Sequence, residues 1–426
     1  MSKRPQEYWY VHGEAYDLRA FCEVHPGGKE QLMVTQGRDC TEMVHSMHSL
    51  ASIDKVKQTL AKYKVENVKV EDDSEIFAWK EDGLYATLTR RVRDYIKSLG
   101  PNETHKASNL FWVIAGIEMC LYAFMFYLWI FKGSYLAPLI AGLMAVSLGF
   151  MIFHTSGHCG MSKNPKVNSF WYKVFANYIL GFIDVLWDLH HNYGHHSYTN
   201  IHRKDPDVSN SYAFVRKSEH QKKKPIHKKQ WYIAYLMLVF FPNQWFGQVI
   251  QYFLATFRKK MFGVPMIHKA EKSRTPFVVF FGIIVNLAAL IVAQQGVIFA
   301  IISLYLYSFG CGFAYWACVF PNHDTDLSHQ SSIDQVKNGE NDWGAHQIQH
   351  SSNFRMPVFL AYFIGGMNFQ IEHHLFPAVH PRHYPAISKF VREECAKRNI
   401  DYHLHSSWFD ALRGNFKHLR DMAERE

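Results

Sequence analysis

Four apolar runs, 110–131, 135–153, 276–293 and 297–320, interrupt a chain that is otherwise rich in charge. Each approaches the roughly 20 residues that carry an α-helix across the hydrocarbon core. The first pair is joined by Lys132-Gly133-Ser134 and the second by Gln294-Gln295-Gly296, links with room for little more than a tight turn. Hydrophobic residues make up 48% and aromatics 16%, yet mean hydropathy is only −0.18, so the spans are diluted by polar domains. Net charge is +9. The two links hold one lysine between them, while the basic residues crowd the long segments beside the spans. Short basic segments stay cytoplasmic, so four spans put both termini and every long segment on the cytoplasmic side. The charge thus points to a lipid bilayer and not to nucleic acid as partner.

Histidine is the compositional anomaly, at 26 residues. His154 and His158 follow the second run as H-x-x-x-H, which on a continuing helix lie on one face. His191, His195 and His196 form H-x-x-x-H-H, with His190 a competitor for the first place. His373 and His374 end G-G-M-N-F-Q-I-E-H-H, three residues after Gln370. Imidazole is a neutral nitrogen ligand, and a set this large with few carboxylates suits iron better than calcium or magnesium. It exceeds zinc's usual four, and no H-E-x-x-H occurs, which argues against a zinc hydrolase. The seven cysteines are scattered without a C-x-x-C, so no disulfide framework is indicated. The N-terminus lacks the apolar core of a signal peptide, so membrane insertion is expected from an internal span.

Near the N-terminus, His25-Pro26-Gly27-Gly28 is followed by V-H-S-M-H-S at 44–49. Proline fixes the approach to the histidine, and the glycines let backbone pass close to a large flat group. Leu32, Met33, Val44 and Met47 are available to line an apolar pocket. Two imidazoles facing each other across a plane are what a bis-histidine haem needs. The stretch Y-D-L-R-A-F-C-E-V-H-P-G-G with G-R-D-C-T-E-M-V-H-S-M-H resembles the cytochrome b5 domain, which implies His25 and His48 as axial ligands of haem b. His45 is the rival for the second place.

The three histidine clusters, in their order, resemble the boxes of membrane-bound fatty acid desaturases, and Gln370 in place of a first histidine marks the front-end group. The resemblance implies an α-helical integral membrane protein with four transmembrane helices, interfacial helices, a cytosolic cap and an N-terminal α+β cytochrome b5-like domain. The expected domains are 1–78 for haem, 79–107 as a charged linker and 108–426 for desaturation. It further implies two irons held by His154, His158, His191, His195, His196, His323, His373 and His374, with Gln370 at a weak ninth position. His323 enters through its Asn-His pair after the last span, with His346 and His350 as alternatives. The second box departs from the H-x-x-H-H of many front-end members.

Desaturation takes hydrogen from methylenes that no side-chain acid or base can attack, so the cofactor carries the chemistry. The reaction that the resemblance implies inserts a cis double bond between an existing one and the carboxyl end of a long acyl chain, borne by coenzyme A or a phospholipid. An NADH-dependent cytochrome b5 reductase and the endoplasmic reticulum membrane complete that expectation. Alternatives are a sphingoid-base desaturase or acyl hydroxylase on the same scaffold, or a non-catalytic membrane haem electron carrier. Elsewhere, 174–189 reads as one in-plane helix, 203–229 as a basic loop, solvated or binding acidic headgroups or coenzyme A phosphates, and 231–257 as interfacial. Residues 309–316 and 359–367 are candidates to line an acyl tunnel, and 380–426 reads as a helical cap.

Overall fold

A computed structural model of the chain describes residues 5–68, 76–210, 212–240, 244–261, 264–265, 287, 289–291, 293–339 and 342–425. It is mostly helical, with a small β-hairpin head. Strands β1 (Trp9–Val11) and β2 (Glu14–Tyr16) pair antiparallel in the register Trp9↔Tyr16. His12 and Gly13 between them both have positive φ, the geometry of a tight two-residue hairpin turn. Helices α1 (Lys29–Met33), α2 (Thr41–Met47) and α3 (Ile53–Ala61) complete the head. Its core is Trp9, Val11, Leu18, Cys22, Cys40 and Met43.

The stretch expected as a linker is largely a 15-residue helix, α4 (Leu84–Ser98). Its charges lie outside, while Leu84, Tyr85, Leu88 and Val92 join Trp343, Ile371, Leu375 and Phe376 in one buried cluster. Composition hid this, because an amphipathic helix shows its charges and its core face in one string.

Helix α5 (Asn109–Lys132) starts at Ser108, whose hydroxyl accepts from the Phe111 N–H, and stops at Gly133 in left-handed geometry. Leu110, Val113, Ile117, Leu121 and Phe124 form an exposed stripe at helical spacing, the surface a bilayer would cover. Helix α6 (Leu136–Leu148) returns and continues through a π-helical turn, Gly149–His154, to Gly157. After helix α7 (Pro165–Val174), the expected in-plane helix breaks at Gly181, which has φ 68°. Beyond a second π-helical turn at Phe175–Leu180, a third, Asp188–His195, carries the middle histidines.

Helices α8 (Gln230–Phe240) and α9 (Gln244–Arg258) cover the stretch read as interfacial. The basic loop before them is anchored more than solvated: Arg216, Ser218, Gln221, His227 and Gln230 are buried, and Lys217 pairs with Asp324 at 2.8 Å. Lys222 and Lys224 remain exposed. Helix α10 (Val297–His323) packs along α6 in the same direction, with Tyr135 on Phe299 and Phe150 near Tyr315. Among the described residues three helices are long and apolar enough to cross a membrane: 109–132, 136–157 and 297–323. The span expected at 276–293 lies almost wholly outside the described residues. Helices α11 (Trp343–Gln349), α12 (Gln370–Leu375), α13 (Tyr384–Arg398) and α14 (Trp408–Glu424) build the remaining layer.

The contact of α6 with α10 depends on small residues, as helix contacts in lipid commonly do. A Cβ on Gly310 would stand 2.5 Å from the Leu139 carbonyl oxygen, and one on Gly142 would strike that of Tyr307. Gly310→Leu and Gly142→Leu are therefore expected to destabilise the protein by about 1–3 kcal/mol or more. Gly116→Leu, with nothing within 4 Å of its Cβ, is the control. Thermal melting in detergent reads the difference, and equal melting of all three would remove close helix approach as the reason for these glycines.

Candidate haem pocket and metal centre

In the head, the His25 and His48 rings face each other with centroids 6.0 Å apart. Two metal–nitrogen bonds of about 2 Å in line, plus half a ring at each end, come to about 6 Å. His25 Nδ1–H donates to the Gly28 carbonyl at 3.0 Å, and His48 Nδ1–H to that of Val44 at 2.8 Å. Each Nε2 is thereby the lone-pair nitrogen. Burial lowers both pKa values below the ordinary histidine range, so both rings are neutral. A Cβ on Gly27 would lie 2.8 Å from the His25 ring, and Gly28 has φ 96°; the two glycines are sterically required. The arrangement fits a bis-histidine haem. His45 faces away: its ring stacks on Trp79 at 3.9 Å, and its Nε2 meets that of His12 at 2.9 Å.

The remaining predicted histidines gather where α6, the third π-helical turn, α10 and α12 end together. His154, His158, His191 and His373 present nitrogens all within 4.8 Å of one another, and His195, His323 and His374 do the same beside them. Both H-H pairs are divided between the two groups. His196 Nε2 lies 3.1 Å from His373 Nε2, joining the first, while His195 and His374 belong to the second.

His191 decides what this crowd can be. Its Nε2 is 3.2 Å from the Nε2 of each of His154, His158 and His196. One imidazole nitrogen carries one hydrogen or one lone pair and cannot serve three hydrogen bonds. Nitrogens sharing an ion at about 2.1 Å, however, stand about 3.0–3.4 Å apart. In the second group His195 and His323 meet at 3.2 Å, and the buried Nε2 of His374 has no hydrogen-bond partner. Both groups fit metal ions.

The other ring nitrogens are held from behind. His195 Nδ1–H donates to Asp205 at 3.0 Å and lies 3.3 Å from Asp207. His323 Nδ1–H donates to the His350 carbonyl at 3.2 Å. Tyr384 OH is 3.2 Å from His373 Nδ1, while Gln347 Oε1 and Thr199 Oγ1 flank His374 Nδ1 at 2.9 and 3.0 Å. Such partners fix ring orientation and raise ligand basicity. Burial, then the neighbouring imidazoles, holds His158, His191, His196, His373 and His374 well below the ordinary range, in the neutral state a metal needs. At His195 burial opposes the proton too, but Asp205 and Asp207 outweigh it and raise the pKa.

His190 turns aside, its Nε2 2.6 Å from Asp207. His346 Nε2–H donates to the Thr199 carbonyl, and both ring nitrogens of His350 are engaged, by the His346 carbonyl and Ser331. Neither reaches the clusters by a ring nitrogen. Gln370 does: its amide is 2.8 Å from His323 Nε2, and its Oε1 accepts from Asn322 Nδ2 at 3.2 Å.

Asp205, Asp207, Gln347, Thr199 and Tyr384 were missed by the sequence reading. The one signal was D-P-D at 205–207, where Asp205 caps the short helix Pro206–Ser209. A narrow cavity of about 60 Å³ leads from the clusters between Val146, Gly149, Phe150, Leu180, Phe182 and Tyr315. Of the two stretches expected to line a tunnel, 309–316 contributes Cys311 and Tyr315 and 359–367 only Met367. Phe359 and Phe363 are instead on the outer surface.

A haem-binding head, apolar helices of membrane-spanning length and paired histidine clusters at the helix ends define a membrane metalloprotein with its own electron carrier. The chain belongs to the fatty acid desaturase family, whose pattern matches residues 128–406, and residues 2–69 match the cytochrome b5-like haem/steroid binding domain. It is 24% identical over 443 residues to a probable Delta(5) fatty acid desaturase C of Dictyostelium discoideum, covering 98% of this chain and 92% of that one. It is 27% identical to an acyl-lipid (8-3)-desaturase of Physcomitrium patens, covering 98% and 88%. A chloroplastic acyl-lipid (7-3)-desaturase of Chlamydomonas reinhardtii is 28% identical, covering 94% and 77%.

Two sets of variants test this geometry. His25→Ala and His48→Ala in the full chain are each expected to lose the low-spin haem spectrum, and His45→Ala to keep it. Bleaching by His45→Ala alone would reverse the axial assignment. For the metal centre, His191→Ala should lose bound metal and His190→Ala keep it, while Asp205→Asn should cost about 10–100-fold in affinity. Gln370→Ala should retain the metal and lose activity. Metal content of the purified variants checks these, and full activity in Gln370→Ala would remove that residue from the site.

Proposed function

We propose that this protein is a front-end fatty acid desaturase of the endoplasmic reticulum membrane. It introduces a cis double bond between an existing one and the carboxyl end of a long unsaturated acyl chain. His154, His158, His191, His196 and His373 hold one iron, and His195, His323 and His374 hold the other, with Gln370 at the open position of the second. The observation that carries this reading is the meeting of four Nε2 atoms at His191, which asks for a cation. With dioxygen, two such irons supply an oxidant able to break an unactivated C–H bond. The chain's own residues do the rest. The apolar cavity walls hold the acyl chain against the clusters and exclude water, and Asp205, Tyr384 and Gln347 keep the rings in place.

His25 and His48 hold haem b, and a cytochrome b5 reductase passes electrons to it from NADH. The relatives named acyl-lipid desaturases favour a lipid-borne substrate over a coenzyme A ester. The topology is supported by α6 and α10. They run in the same direction and carry histidines at the same end, so the chain between them crosses the membrane once more. The undescribed 276–293 is the apolar run available for that fourth crossing. Both termini and all clusters then share the cytosolic face.

Expression in yeast fed candidate unsaturated acids, with mass spectrometry of double-bond positions, tests the reading. A new cis bond on the carboxyl side of an existing one is expected. A hydroxy acid or a modified long-chain base would move the assignment to the other activities of this scaffold. No product with intact haem would leave the electron carrier.

A further inference from the structure

The haem domain is seated on the desaturase domain by the segment between its two axial histidines. Val34 packs with Ile183, Leu186 and Leu189; Glu30 pairs with Lys173 at 2.7 Å; Glu42 accepts from Tyr198 OH at 3.1 Å. The Glu42–Tyr198 contact reaches His48 through the Val44 carbonyl and main chain, and lies two residues from His196. Besides it, two lines of contact run through this seat from an axial histidine to a metal-cluster histidine. In the first, the Gly27 backbone lies against the His25 ring, and the Gly27 carbonyl accepts from the Cys159 thiol at 3.7 Å. Cys159 is bonded directly to His158. In the second, His48 donates to the Val44 carbonyl, next to His45, whose ring stacks on Trp79. Trp79 then stacks on Trp343 with centroids 5.7 Å apart, and the Trp343 indole N–H donates to the carbonyl of Ser197, next to His196.

Resting on the function proposed above, we propose that electrons cross where the His25-Pro26-Gly27-Gly28 turn meets His158–Cys159, with the tryptophan stack serving as packing. Electron tunnelling weakens exponentially with distance and most steeply across gaps between atoms. The turn route has two gaps, ring to Gly27 and carbonyl to thiol. The stack route has four, and longer stretches of main chain besides. The Glu42–Tyr198 route also has two, but it threads main chain from Val44 to Glu42, two long side chains and main chain from Tyr198 to His196. The turn route has only Cys159 and its bond to His158. The landing point is also fixed in place. Cys159 N–H donates to the Ser156 carbonyl at 2.9 Å, and Lys106 Nζ donates to the Cys159 carbonyl at 2.7 Å. Gly28 meets Pro165 across the same seam, where its Cβ would be 3.5 Å from that of Pro165. Each crossing moves one electron, oxidising the haem iron by one unit and reducing the metal pair by one. Two crossings serve each turnover, and no bond forms or breaks at the seam. The reductant is reduced nicotinamide through the flavoprotein reductase, and the final oxidant is dioxygen.

The test follows haem reoxidation by its absorbance after flash photoreduction of the full chain loaded with both cofactors. Cys159→Ala should slow reoxidation several-fold, with unchanged haem spectrum, haem midpoint potential and metal content. Cys159→Ser, which keeps a donor to Gly27, should restore much of the rate. Trp79→Leu should leave it unchanged, with hydrogen-exchange protection of α2 reporting that the head is still seated. A normal rate in Cys159→Ala, or a slow one in both Cys159→Ala and Cys159→Ser that tracks lost protection, overturns the proposal. So does slowing by Trp79→Leu with α2 still protected. Failure of the wild type itself to pass electrons from haem to metal would instead sink the function proposed above.

Discussion

Neutral nitrogen lone pairs repel when they meet in a dry interior, and this protein brings eight imidazoles into such a meeting. Desolvation keeps His158, His191, His196, His373 and His374 from relieving the crowding by taking up protons. A cation at the centre is the one arrangement that turns each repulsion into a bond. The surrounding structure is therefore built to hold an assembly that is unfavourable when empty. Four segments far apart in sequence each supply histidines, and none could gather the set alone.

What holds the rings is a second layer of ordinary hydrogen bonds. Asp205 and Asp207 act on His195, the His350 carbonyl on His323, Tyr384 on His373 and Gln347 on His374. This explains why elements without a ligand are buried so thoroughly. Helix α13 brings Tyr384, α11 brings Gln347, and α4 closes the apolar cluster beneath both. Two of the three π-helical turns have a comparable role. An extra residue per turn re-aims the side chains that follow, and both turns end on cluster histidines, His154 and His195.

The gathering of the histidines was legible because spacing encodes direction. H-x-x-x-H on a helix is a geometric statement, and H-P-G-G needs its glycines for reasons visible in one dimension. Three of the four expected spans, all those within the described residues, were legible from length alone. Legibility failed where a role depends on tertiary neighbours. Asp205 and Asp207 fell unremarked within a stretch read as a basic loop, α4 looked like a charged linker, and Arg216 was read with that same loop until its guanidinium proved to bind the Gln221 and Met422 carbonyls. The choice between His190 and His191 was open for the same reason. Adjacent residues point apart, and only the position of Asp207 shows which one turns away.

The seat of the haem domain combines two constraints that a tether alone would not provide. A covalent link raises effective concentration but leaves orientation free. Here orientation is set by contacts that bury Glu42, whose carboxyl is pushed up to about 8, first by burial and then by Asp39. Near neutral pH it is thereby held toward the protonated form against Tyr198, which lowers the cost of burying it. The rest of the seat is mixed. Val34 joins an apolar cluster, but Glu30–Lys173 is an exposed ion pair and Arg38 lies over the Tyr193 ring at 5.0 Å. Interfaces of that composition hold domains in register without fusing their cores. A head that passes electrons to the domain beneath it needs its orientation held in this way, by contacts that fix the register of the two surfaces and leave each domain its own core.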